Sequence, residues 1–247
     1  MPLVVLFFLA TLLLWFWIFK ESCSLCRKLG ITLLGLGYIL QLVELFFSFK
    51  SGNGNIFFLL SVAVLSIFYF LCWKFRNWNG ISFSPLIATL AFLFTLVGSK
   101  VGNFQQVNFL VVIHVSLAIL SFSFLLISAI ASVMHFVAER YLKSGNINLP
   151  LNIPINFWSN LEGRLFFFGF IFLTLDLVFN VFLLKETLSH FVFDSRIVGT
   201  FLIWLYYGLL FHLQKFGVKV VKNRFYLFNG LGGIAIISLL LFTHHRF

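Results

Sequence analysis

The chain has 247 residues, 61% of them apolar and 10% charged, with a mean hydropathy of +1.07 and a net charge of +10. So little polar side chain cannot cover a globule in water, which excludes a soluble domain and leaves an integral membrane protein. The basic excess is no nucleic-acid signal either, because it is sorted by alternate loops, and the 37 phenylalanines read as ordinary lipid-facing material.

About 20 apolar residues cross a bilayer core. Eight runs qualify, at 2–19, 30–49, 55–73, 82–99, 109–137, 165–184, 196–214 and 225–243. The expected fold is all-α: a polytopic bundle of about eight transmembrane helices in one membrane domain, 1–247. The first run has no basic leader and no small-residue cleavage site, so it reads as a retained helix. Cys23 and Cys26 form a lone CxxC after it, and Cys72 ends the third run. On a cytoplasmic side these thiols are expected to stay reduced, and one such pair is a weak metal or exchange signal.

The second run carries Glu44 with Gln41 a turn before it, and the sixth carries Asp176 with Asn180 a turn after. An unpaired carboxylate deep in a membrane costs at least about 2.5 kcal/mol. Each acid is therefore expected to bond a neighbouring helix or to line a polar path. The stretch 139–164 holds Pro150, Pro154, Asn146, Asn148 and Asn152, and reads as a structured loop or a surface-lying segment. No internal repeat is evident, which speaks against an inverted-repeat transporter.

Alternate loops hold Lys20, Arg27, Lys28, Lys74, Arg76, Arg140, Lys143, Arg164, Lys215, Lys219, Lys222 and Arg224; the other side holds Lys50, Lys100, Lys185, Arg196 and Arg246. Twelve cations against five is the positive-inside bias, and it predicts both termini outside. Each histidine then acquires a depth. His114 opens the fifth run at the outer surface. His190 lies with Asp194 in the outer loop before the seventh, and His244 and His245 follow the last. His135 and His212 fall near the inner ends of the fifth and seventh runs.

Asp194 stands just before the seventh run, with Trp204 ten residues on and His212 eighteen residues on. Eighteen residues are five whole turns, so Asp194 and His212 share one face about 27 Å apart, close to the thickness of a bilayer core. Imidazole is the commonest metal ligand, and a haem iron accepts two. Phe191, Phe193, Trp204, Tyr206 and Tyr207 would suit a flat apolar ligand or an interfacial belt. For any one of these histidines, interfacial placement or a helix-to-helix hydrogen bond is the ordinary alternative.

The ordered set resembles the cytochrome c assembly family of haem-handling membrane proteins, with its CcsA/ResC, CcmC and HemX types. Phe191-Val-Phe193-Asp194, Trp204 and Phe211-His212-Leu-Gln-Lys215 stand where the family runs from Trp-x-Trp-Asp to a short Leu-His-x-Arg. Val112-Ile-His114-Val resembles the opening of the helix before the haem loop, and Glu139-Arg140-Tyr-Leu-Lys143 resembles its inner end in HemX-type members. Arg164 with Gly169-Phe-Ile-Phe-Leu-Thr174 resembles the next span, and His244 or His245 the second outer histidine. The likeness covers residues 107–247 in detail, and the four N-terminal helices, residues 1–106, by helix count. Both tryptophans of the family motif are phenylalanine here. Ser195-Arg196-Ile197 replaces Pro-Lys-Glu, and Ser51-Gly52-Asn53 stands where Ser-Gly-His would. That places the chain nearer the HemX type than the full synthase.

The resemblance implies haem b held at the outer face between His114 and His244 or His245. Phe191 and Phe193 would pack on the macrocycle, Asp194 would orient the loop, and Trp204 would belong to the same site. It implies His212 as an inner relay ligand, with His135 a candidate for its missing partner. It also implies a ResB-like membrane partner, an apocytochrome c to receive haem, and a bacterial plasma (inner) membrane or thylakoid-type membrane. The chain would be a component of a cytochrome c synthase and no enzyme alone. The alternatives are a HemX-type accessory that affects haem biosynthesis, and a structural assembly subunit that no longer binds haem.

Overall fold

A computed structural model describes residues 2–19, 23–50, 53–74, 84–99, 104–105, 109–145, 153–186 and 195–242. The helices are α1 (Pro2–Phe19), α2 (Ser24–Lys50), α3 (Ile56–Lys74), α4 (Ser84–Gly98), α5 (Phe109–Lys143), α6 (Ile155–Glu186), α7 (Ser195–Lys215), the short α8 (Lys219–Asn223) and α9 (Phe225–Phe242). A two-residue antiparallel pair joins β1 (Asn53–Gly54) to β2 (Phe104–Gln105). Among the described residues four helical stretches are long and apolar enough to cross a membrane: Ser24–Ser48, Ile56–Lys74, Ile113–Lys143 and Ile155–Val181. Pro2–Ile18, Ser84–Gly98 and Phe225–Leu240 are shorter apolar helices.

The chain divides into two compact units, Met1–Val107 and Asn108–Arg246. In the first, α1 packs on α2 and α4, and α3 packs on α4 and α2. Close approach needs glycine here. A Cβ on Gly30 would stand 2.7 Å from Leu14, and one on Gly37 would stand 2.8 Å from Phe7. Polar side chains then tie the helices. Buried Gln41 donates to Thr95 Oγ1 at 3.3 Å and accepts from Ser61 at 3.0 Å, while Trp15 Nε1 donates to Thr89 at 3.0 Å. Asn55 caps α3 by accepting from the backbone N–H groups of Phe57 and Phe58, and its amide donates to the Gly98 carbonyl at 2.9 Å. Gln41 is thus the interhelical polar residue of α2, and Glu44 is exposed.

Two sequence expectations need correction. Cys23 and Cys26 are joined as a disulfide rather than standing as thiols. The CxxC spacing at the mouth of α2 holds their Cα atoms 5.3 Å apart, within disulfide range. The stretch 139–164 is mostly helix, since α5 runs on to Lys143 and α6 begins at Ile155 behind Pro154. Polar residues interrupt the apolar run there, but Trp158, Leu161 and Leu165 recur at helical spacing and all are buried. Residues 146–152 lie outside the described set.

In the second unit α5 and α6 form a long antiparallel hairpin, α9 packs on α5, and α7 packs on α9 and α6. Gly217 ends α7 with a φ of 73°. Its N–H bonds the Gln214 carbonyl and the N–H of Val218 bonds that of Leu213, the two bonds of a glycine-terminated helix.

Candidate functional site

One stripe on α5 meets one stripe on α6 at heptad intervals. His114, Ser121, Ser128 and His135 are each seven residues apart, and so are Glu162, Gly169 and Asp176. Seven residues are close to two turns, so each set shares a face. The pairing follows the antiparallel register. His114 Nδ1 lies 2.7 Å from Asp176 Oδ1, Ser121 donates to the Gly169 carbonyl at 3.1 Å, and Ser128 donates to the Glu162 carbonyl at 2.8 Å. At Gly169 an added Cβ would be 3.1 Å from the Leu125 backbone nitrogen, so glycine lets the helices meet this closely.

Glu162 acts twice. Its side chain leans toward the N-terminus of α6, as helical side chains do, and its Oε1 lies 2.9 Å from His135 Nδ1. The hairpin therefore carries a histidine–carboxylate pair at each end. Both carboxylates are buried, with Asp176 and Glu162 side chains 2% exposed against 27% for His114 and 16% for His135. The Nδ1 atom of His114 is itself shielded, so the exposed part of that ring lies on its other atoms. Around the lower pair, the Tyr226 ring of α9 lies 4.9 Å from the His135 ring. Asn229 donates to Ser128 at 2.7 Å and to Ser132 at 2.8 Å.

The expected site residues fall as follows. His114 sits in the second turn of α5 against Asp176, for which the sequence offers Asn180 as the nearby partner. Trp204 lies on α7, and its indole N–H donates to Thr174 Oγ1 at 3.0 Å. That bond joins two segments singled out separately in the sequence, the Trp204 position and the Gly169–Thr174 stretch. His212 is exposed in the last turn of α7, beside the rings of Phe211 and Phe216. Tyr206 donates to the Phe228 carbonyl at 2.6 Å, and Tyr207 is fully buried against α9, so both tie α7 to its neighbour. Phe191, Phe193, Asp194, His190, His244 and His245 lie outside the described residues. Sequence reasoning missed Glu162, the serine ladder and Asn229; the heptad spacings from His114 to His135 and from Glu162 to Asp176 were the signals that could have found the first two.

Among the described residues no three His, Cys, Asp or Glu side chains converge on a metal position. What the arrangement offers is single imidazoles, each with one nitrogen within 2.9 Å of a buried carboxylate oxygen. That geometry suits a ligand that brings most of its own coordination sphere.

Fold and site together define an apolar helical membrane protein that presents carboxylate-backed imidazoles. The chain belongs to the cytochrome c assembly protein family, whose model, described as Cytochrome C assembly protein, matches residues 4–244. No curated protein and no solved structure matches it. Membership gives the protein a role in cytochrome c maturation and, with its long apolar helices, a place in a membrane.

Proposed function

We propose that the protein binds haem b at its outer face and hands it toward apocytochrome c. The observation that supports this best is His114, partly exposed, with Nδ1 in an ion-pair contact 2.7 Å from the buried Asp176 carboxylate. A metal-ligating histidine commonly gives its second nitrogen to a carboxylate, which fixes the ring and raises its basicity. The residues present therefore fit a ligand to haem iron. His114 would be one ligand and His244 or His245 the other, while Phe191 and Phe193 pack on the ring and Asp194 orients their loop. Trp204, anchored to Thr174, fixes the helix that leaves that loop. Haem, when bound, supplies the vinyl groups that cytochrome thiols attack, and the protein supplies binding and orientation.

His212 serves as an inner station on this reading, and a ResB-like partner would present the apocytochrome. Phenylalanine at both family tryptophan positions favours a second reading within the same site, a HemX-type accessory that handles haem without ligating it to cytochrome. Co-isolation with a ResB-like protein separates the two.

The test is the absorption spectrum of detergent-purified protein. A Soret band is expected in the parent, largely lost in His114→Ala and kept in His190→Ala. His212→Ala should leave the band shape unchanged while lowering the haem acquired in cells. Equal loss from His114→Ala and His190→Ala, or no band in the parent after added hemin, overturns the proposal.

A further inference from the structure

We infer that Cys23 and Cys26 form a thiol–disulfide exchange site whose substrate is a protein dithiol on the cytoplasmic side, with Cys23 carrying the mixed disulfide. The inference is independent of the haem-binding reading, because both cysteines belong to the first unit and His114 to the second.

The bridge stands where exchange chemistry is favoured. Cys23 directly precedes α2 and its carbonyl accepts from the Arg27 N–H at 3.3 Å, so it occupies the N-cap. Its sulfur takes the place of a capping oxygen, since the Cys26 backbone N–H donates to Cys23 Sγ at 3.3 Å. A sulfur anion at Cys23 would meet that N–H and the positive end of a 27-residue helix. Arg27 and Lys28 follow directly, and the Arg27 guanidinium lies 5.6 Å from the ring of Trp17 at the end of α1. Both cysteines are half-buried, with exposed Ser24 and Leu25 between them, so the bridge lies at the surface of its unit.

A structural role alone accounts poorly for it. The bridge joins two residues of one helical turn, and a loop this short restrains the unfolded chain least. It does not fasten α1 to α2, because both sulfurs belong to the start of α2. That packing is made at Gly30 against Leu14 and at Gly37 against Phe7. The cation asymmetry puts this end of α2 on the cytoplasmic side, where disulfides that form are usually transient, catalytic or redox-sensing.

The exchange balances without a further reactant. A partner thiolate attacks Cys23 Sγ, the Cys23–Cys26 bond breaks, and Cys26 leaves as a thiolate that takes up a proton. The partner's second thiolate then attacks its own bridged sulfur and expels Cys23 as the thiolate that the Cys26 N–H stabilises. Two partner thiols become a disulfide while this disulfide becomes two thiols. In the reverse direction Cys23 is the attacking thiolate and Cys26 the resolving one.

The experiment uses the full chain carrying Cys72→Ser, with thioredoxin lacking its resolving cysteine as the probe. A stable mixed disulfide is expected on Cys23, located by peptide mass after digestion. Intact reduced thioredoxin should open the bridge to two thiols, counted by the mass shift of a polyethylene-glycol maleimide. In reduced Cys26→Ser protein, alkylation of Cys23 should turn on at a pH below the value of about 8.5 of an ordinary thiol. In acid-quenched cells the pair should be part reduced, move to the disulfide under diamide and return within minutes of its removal. Should Cys26→Ser fail to fold, the trapping and in-cell measurements keep both cysteines and carry the test. Trapping on Cys26 alone, alkylation with the pH profile of an ordinary thiol, or a pair unmoved by diamide and its removal overturns the inference.

Discussion

Asp176 shows how one contact changes a residue's meaning. As a lone intramembrane acid it was an expense to be explained by any neighbour; 2.7 Å from His114 Nδ1 it becomes the group that sets which imidazole nitrogen faces outward. Asp176→Asn keeps the shape and removes the charge. Hemin affinity at the outer site should fall about 10- to 100-fold, as for other supporting carboxylates, with helix content unchanged. Asn180→Ala should leave affinity at the parental value. Hemin titration of both variants checks the pair, and equal affinities would detach Asp176 from the site.

At the scale of helices, small residues decide which faces meet. Gly233 on α9 approaches α5 so closely that an added Cβ would lie 2.4 Å from the Ala129 Cβ. Gly233→Ala should therefore destabilise the second unit by about 1–3 kcal/mol, the usual cost of overpacking. Ala129→Gly in the same chain should recover most of that loss, because it removes the atom in the way. Thermal unfolding of the three variants in detergent reads the result, and a Gly233→Ala protein as stable as the parent would show that the helices part easily. The same logic explains the 139–164 stretch. Its polar residues hid a helix whose buried side, Trp158, Leu161 and Leu165, packs inside the unit.

Over the whole molecule, apolar exposure is the rule: Phe46 is 68% exposed, Phe47 61%, Val181 66% and Leu209 59%. Surfaces of this kind are stable in hydrocarbon and a liability in water. The cation asymmetry sets the expected orientation. Ser195→Cys should react with an impermeant thiol reagent added from outside intact cells, in a background with Cys23, Cys26 and Cys72 replaced. Labelling from the cytoplasmic side alone would reverse the topology and move the proposed His114 site to the inner face.

Composition and run length alone determined that this is a helical membrane protein, because the cost of burying unpaired backbone in lipid leaves few structures for so apolar a chain. Residue order alone supported the family resemblance, since the spacing of Asp194, Trp204 and His212 is read directly along the chain. Partnership was another matter. His114 with Asp176 and His135 with Glu162 are separated by 62 and 27 residues in sequence and meet only when α6 folds back on α5. The heptad stripe was written in the chain, but each polar residue on it had several neighbours of equal standing. Antiparallel register, permitted at Gly169 by the absence of a side chain, chose among them.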